Sequence, residues 1–144
     1  MRFTEPATFH TTKGPQALHV RTARSFWSRF RGLMLARPMA ATPVVQALLL
    51  LRCPSVHGFF MRCAIDVVYL HSKSNPARRN VGVVRFQVTH IAQLKPWRIS
   101  FGRRWRPEAQ APMRVLRSQH ALELPAGSVA ALGIARGDWL EVSS

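Results

Sequence analysis

The chain has 144 residues, of which 47% are apolar and 19% charged, a balance that suits one globular domain and excludes wholesale disorder. A domain of that size buries roughly 70% of the surface its unfolded chain exposes. Lys and Arg number 21 against 6 Asp and Glu, so the net charge is 21 − 6 = +15, nearly all of it arginine, since only Lys13, Lys73 and Lys95 are lysines.

Such a charge attracts nucleic acid, anionic lipid or an acidic partner protein. The arginines are spread along the chain instead of forming one block, which favours plain solubility over a dedicated binding tract. Cys53 and Cys63 fit a disulfide in an oxidising compartment or free thiols in a reducing one. The opening residues lack the apolar run of a secretory signal. The longest apolar run, Val44 to Leu51, is too short to span a bilayer. The expectation is a soluble, cytoplasmic protein with no transmembrane segment.

In chain order, residues 1–23 read as an irregular arm with one possible strand at Ala17 to Val20, because Pro6, Gly14 and Pro15 interrupt any period. Residues 24–144 read as a single β-rich domain. Phe26, Trp27, Phe30, Leu33 and Met34 have helical spacing behind Ser25 as N-cap, and Pro38 and Pro43 end that helix. Val44 to Leu51 reads as a buried strand, with a buried helix as the competing assignment. Val56 to Met61 and Ile65 to Leu70 read as strands with a bend at Cys63-Ala64.

Ser72 to Asn80 reads as an exposed turn, followed by strands at Val81 to Val88 and His90 to Leu94. Trp97 to Arg106 interleaves Trp97, Phe101 and Trp105 with Arg98, Arg103, Arg104 and Arg106. Pro107 to Pro112 is a predicted loop, and Val115-Leu116 and Ala121 to Leu124 are short strand candidates. A short helix at Ser128 to Leu132 is followed by Gly133, at a position that favours positive φ. Gly137-Asp138 turns into a last strand, Trp139 to Val142. Many short strands without a βαβ pattern or Gly-rich phosphate loop predict a mainly β protein, a compact β-sandwich or barrel-like domain with one or two short helices.

The richest stretch runs from Cys53 to Leu70. It holds His57, Arg62 and Asp66, and Asp66 is the only acidic residue between Glu5 and Glu108. An acid inside an apolar run needs a partner. Period-2 geometry puts Ser55, His57, Phe59 and Met61 on one face of their strand and Asp66, Val68 and Leu70 on one face of theirs, with the register between His57 and Asp66 left open by the sequence.

Several blocks, taken in order, carry a family resemblance from about Arg24 to Leu140. They are Arg31-Gly32-Leu33-Met34, Cys53-Pro54-Ser55-Val56-His57, Phe59-Phe60-Met61-Arg62 and Ile65-Asp66-Val67-Val68. Pro96-Trp97-Arg98, Leu122 to Gly127, Gly133-Ile134 and Gly137-Asp138 complete the set. The chain resembles the bacterial and archaeal family named domain of unknown function 192. It departs from the family pattern at Gly58, where Thr is usual, at Cys63, where an aromatic is common, and at Ala64, where Pro is common. The Ser72 to Asn80 loop is also longer than usual. The resemblance implies a small β-rich domain without established activity or cofactor, and some relatives carry signal peptides.

Cys53, His57, Cys63 and Asp66 are all of ligand type, but without a paired CxxC spacing they do not make a zinc site. A Cys–His–Asp catalytic arrangement has no accompanying oxyanion signature, so no catalytic residue, metal or cofactor is expected. Asp66 reads as a structural acid, accepting backbone N–H bonds or pairing with Arg62 or Arg98. The leading expectation is a non-catalytic binding or accessory domain with a surface pocket lined by His57, Arg62, Asp66, Trp97 and Glu123. Its partner is unidentified, an acidic protein or anionic ligand being the candidates. The alternative is a basic nucleic-acid-associated protein using Trp97, Arg98, Arg103, Arg104, Trp105 and Arg106. Against it stands an ordinary edge strand whose aromatics face the core. An uncharacterised enzyme is the third reading.

Overall fold

The computed structural model describes residues 5–23, 44–58, 61, 63–72, 82–105, 116–117 and 119–143. In chain order the strands begin with β1 (Glu5–Thr11), β2 (Gly14–Ala23), β3 (Val45–Leu50), β4 (Ser55–His57) and β5 (Ile65–His71). They continue with β6 (Val83–Leu94), β7 (Ile99–Phe101), β8 (Arg104–Trp105), β9 (Leu116–Arg117) and β10 (His120–Pro125). A short helix, α1 (Ser128–Leu132), precedes the last strand, β11 (Trp139–Ser143). The expected mainly β class is borne out as a closed barrel of order β1-β11-β6-β5-β10-β3-β2, with two-stranded ribbons β4-β7 and β8-β9 beside it.

The barrel's parallel neighbours are β2 and β3, in register from Leu18↔Val45 to Ala23↔Leu50. A parallel pair needs a crossover of a dozen residues or more, and the chain between Ala23 and Val45 has that length. The helix expected behind Ser25 falls in this segment and lies outside the described residues. So do the Pro107 to Pro112 loop and, except for Ser72, the turn expected up to Asn80.

The residues expected as an irregular arm instead form β1 and β2, paired from Glu5↔Val20 to Thr11↔Gly14. Pro6 and Pro15 explain the misreading and also why the strands survive. The pairing of β1 with β11 begins at Ala7, and that of β2 with β3 begins at Leu18. Both prolines therefore sit where the strand has a neighbour on one side only, and no ladder bond needs their missing N–H.

Two kinds of strand follow from what covers the wall. In β1, β2 and β11 burial alternates, and Ala7, Phe9, Leu18, Val20, Leu140 and Val142 fill the barrel while their neighbours face outward. In β3, β5 and β10 both faces are buried. Ala47, Leu49, Val68, Leu70, Leu122 and Leu124 belong to the inner core, and Leu48, Leu50, Ile65, Val67, Tyr69 and Ala121 to a second, outer one. Two-sided burial makes a strand read as a continuous apolar run.

The two strands expected at Val81 to Val88 and His90 to Leu94 are one strand, β6, with a register shift where Leu70 pairs with Val88 but Tyr69 with His90. The extra residue, Thr89, donates its hydroxyl to the Tyr69 carbonyl at 3.2 Å. A one-residue insertion exchanges the faces of everything beyond it. Thus Val84, Phe86 and Val88 pack inward before the bulge and Ile91 after it, while Ala92 and Leu94 join the outer core.

Candidate functional site

At one end of the barrel, α1 brings Val129 and Leu132 against the inner core. Its start has no side-chain cap, because Gly127 occupies the capping position in a left-handed conformation, φ +88°. Asp66 replaces the missing cap from a distant strand, accepting the Val129 N–H at 2.9 Å while only 6% exposed. An unpaired helix-start N–H is thereby satisfied by a carboxylate. The reading of Asp66 as an acid that accepts backbone N–H bonds holds. Gly133, φ +69°, closes the helix with N–H bonds from itself to Ala130 and from Ile134 to Val129. Asp66→Ala should cost about 2 kcal/mol, the worth of a hydrogen bond to a charged group. Asp66→Asn should cost less, because its amide oxygen still accepts; urea denaturation of both variants checks the order.

The outer core is covered by the strap formed by β4 and β7, where Ser55 pairs with Phe101, Val56 with Ser100 and His57 with Ile99. Directly opposed residues of an antiparallel pair share a face. Val56 is buried in the outer core, and Ser100 accepts the Tyr69 hydroxyl proton at 2.8 Å, so this pair points inward. His57 and Ile99, and Ser55 and Phe101, therefore take the opposite face, where Ile99 and Phe101 are exposed and His57 is half-buried with its Nδ1 covered.

The strap ends in a tight device. Trp97 donates its N–H to the Gly58 carbonyl at 2.7 Å, and Gly58 donates its own to Arg98 at 2.7 Å, so two residues oppose one. This is a bulge whose first residue takes a left-handed conformation, normally supplied by glycine. Here that residue is Trp97, φ +64°. It also holds the third position of the turn Lys95-Pro96-Trp97-Arg98, closed by the Arg98 N–H to the Lys95 carbonyl at 3.3 Å. A side chain other than glycine there costs about 1–2 kcal/mol. Gly58 is constrained in turn: a Cβ on it would meet the Lys95 carbonyl oxygen at 2.7 Å.

The residues foreseen as one pocket are divided. Asp66 lies on the inner face of β5 and caps α1. His57, half-buried, and Trp97 belong to the strap. Glu123, 4% exposed, is on the outer face of β10, close enough for its charge to act on Tyr69. Arg62 and Arg106 lie outside the described residues. Arg104 and Trp105 are in β8, paired with β9, and Arg98 and Arg103 are exposed.

The expected alternative to nucleic-acid contact, aromatics of this stretch turned to the core, is corrected for Trp97 and Phe101. Trp97 is 61% exposed, Ile99 52% and Phe101 66%. Ser100 is the residue that points in. Lys95, Arg98 and Arg103 are exposed around them.

Between strap and wall, Tyr69 is fully buried and stacks on His90 with ring centroids 5.9 Å apart. Burial pushes the Tyr69 hydroxyl above its usual range, opposed by the bond to Ser100 and reinforced by Cys53 and Glu123 nearby. It stays protonated and serves as a fixed donor holding the strap. Burial, and then the charges of Arg103 and Arg136, lower the pKa of His90. Cys53 donates its thiol proton to the Ser55 carbonyl at 2.9 Å, and neither Cys53 nor the exposed Cys63 is in a disulfide. Among the described residues no three His, Cys, Asp or Glu side chains are grouped to hold a metal ion. No helix among them is long and apolar enough to cross a membrane.

The model of the family DUF192, described as "Uncharacterized ACR", matches residues 8–142, nearly the whole barrel. The chain belongs to DUF192. Of its curated relatives, the UPF0127 protein PF1050 of Pyrococcus furiosus is 34% identical over 92% of this chain and 94% of the relative. The UPF0127 protein PH1112 of Pyrococcus horikoshii is 39% identical over 56% of this chain and 59% of the relative. A crystal structure described as a "putative transcription regulator" from Sinorhizobium meliloti 1021 shares the fold of this DUF192 chain. Its TM-score is 0.66 at 21% identity, over 96% of this chain and 92% of that one. A protein of unknown function from Novosphingobium aromaticivorans is similar to it with a TM-score of 0.64 at 20% identity, over 94% of this chain and 82% of that one.

The residue pattern alone does not single out Ile99 as exposed, nor Tyr69 and Ser100 as the hydrogen-bonded pair beneath it. The signal available was the alternation of Ile99, Ser100 and Phe101, with a small polar residue between two large apolar ones.

Proposed function

We propose that this DUF192 chain is a non-catalytic binding domain whose contact face is the outer strap and whose ligand is a nucleic acid. The observation that supports it is the exposure of Trp97, Ile99 and Phe101 beside exposed Lys95, Arg98 and Arg103. No acidic residue lies between Asp66 and Glu108, and Asp66 is spent inside the barrel. A net charge of +15 adds a long-range attraction for polyanions. The polar groups that could have made a reactive cluster are engaged elsewhere: Asp66 on α1, Tyr69 on Ser100, Cys53 on the Ser55 carbonyl.

The test is anisotropy titration with labelled DNA across a salt series. Three cations on phosphates give a log–log slope of about −2 to −3, so affinity should fall roughly 20- to 40-fold between about 50 and 200 mM salt. A flat salt response would sink the proposal.

A further inference from the structure

We infer that the strap is a stacking platform for the bases of single-stranded nucleic acid, with Trp97 and Phe101 as its rings; this rests on the nucleic-acid reading above. The cations of the strap explain attraction to any polyanion, but they do not explain the apolar side chains among them. Ile99 and Phe101 share the outward face of β7, about 7 Å apart along the strand. Trp97 stands 61% exposed at the turn leading into it. Exposed rings next to guanidinium groups are what a flexible strand with unstacked bases can use, because every base has a π-face. A duplex keeps its bases stacked internally and offers mainly phosphates to such a surface.

The backbone of Trp97 adds an independent observation. Its left-handed conformation at a bulge position suits glycine, and a tryptophan there is strained. The backbone role needs no side chain, whereas a ring held on a tight turn is presented in a fixed place. The turn is fixed from three sides, by Gly58, by the Lys95 carbonyl and by Pro96. Below it, the Tyr69–Ser100 bond fixes β7 to the barrel wall. The strap is preorganised before any ligand arrives, which limits the ordering entropy lost on binding.

The experiment compares a short oligothymidylate, an abasic strand with the same number of phosphates, and a duplex of equal length, each titrated with the full chain. The base-bearing single strand should bind about 100-fold tighter than the abasic one, roughly tenfold for each of two stacked bases. Trp97→Gly, which suits the turn, and Phe101→Ala should each remove about tenfold of that preference while leaving the salt slope unchanged. Trp97→Gly should fold with an equal or higher Tm, so its loss of binding cannot be laid to unfolding. Equal affinity for base-bearing and abasic strands, or preference for the duplex, would overturn the stacking inference while leaving nucleic-acid binding intact. Displacement of the strand by an acidic peptide with no base preference would assign the face to a protein partner and overturn it too. No binding to any of the three overturns the nucleic-acid reading and this inference together.

Discussion

Acidification from about pH 7.5 to pH 4 is expected to destabilise the barrel by about 3 kcal/mol through His120 alone. His120 is 4% exposed, meets Phe86 edge-on at 5.4 Å, and accepts the Arg52 N–H on Nδ1 at 2.9 Å. The bond requires neutral imidazole, with the proton on Nε2. Burial first, then the charges of His71 and Arg52, lower its pKa from 6.5 to about 4. The folded pKa is therefore below the unfolded one, and the unfolded chain binds the proton first as pH falls. Stability is full above about pH 6.5, declines between 6.5 and 4, and loses nothing more from this group once both states are protonated. His120→Asn retains an acceptor near the position of Nδ1 and cannot titrate. Urea unfolding across this window should show a shallower pH dependence in that variant. An identical slope in both proteins would mean that His120 does not carry the effect.

The same residue shows why part of the fold could be read and part could not. Ala121 to Leu124 is legible as a strand because apolar residues fill both of its faces with a single polar interruption, Glu123, as Asp66 interrupts β5. The run records two-sided burial, and these strands are neighbours in the barrel, under the strap. His120 gives no such signal. Its partners, Arg52 and Phe86, come from distant parts of the chain. The β1–β2 hairpin was hidden for a local reason, two prolines that break a propensity reading yet occupy positions where no ladder bond is lost.

The strap teaches a different limit. Alternation in Ile99, Ser100 and Phe101 states which residues share a face, but not which face meets the protein. The apolar pair is expected inside on hydrophobicity alone. In the structure the inward position is held by Ser100, which accepts the buried Tyr69 hydroxyl, a long-range contact that the local pattern does not record. Likewise, the role of Asp66 as an acceptor of backbone N–H was legible from an acid amid apolar neighbours. Its partner, the Val129 N–H, was not, since the left-handed Gly127 that leaves α1 uncapped is a conformation and not a pattern.

Tyr69 should therefore be the most sensitive position in the outer layer. Tyr69→Ala removes a fully buried ring that packs in the outer core and stacks on His90, and is expected to cost about 3–5 kcal/mol. Tyr69→Phe keeps the ring and removes the hydroxyl's bonds to Ser100 and to the Val56 backbone, for a cost of about 1–2 kcal/mol. Ser100→Ala should cost a similar amount, and the double variant Tyr69→Phe/Ser100→Ala should cost less than the two singles summed, since the bond can be lost only once. Full additivity would show that the hydroxyls do not interact in solution. Hydrogen exchange distinguishes a latch from a general core contact. In Tyr69→Phe the Trp97, Gly58 and Gly102 amides, which tie the two strap strands together, should lose protection before those of β5 and β10. Uniform loss across strap and wall would mean that both layers open as one unit, with Tyr69 stabilising the whole instead of holding the strap to the barrel.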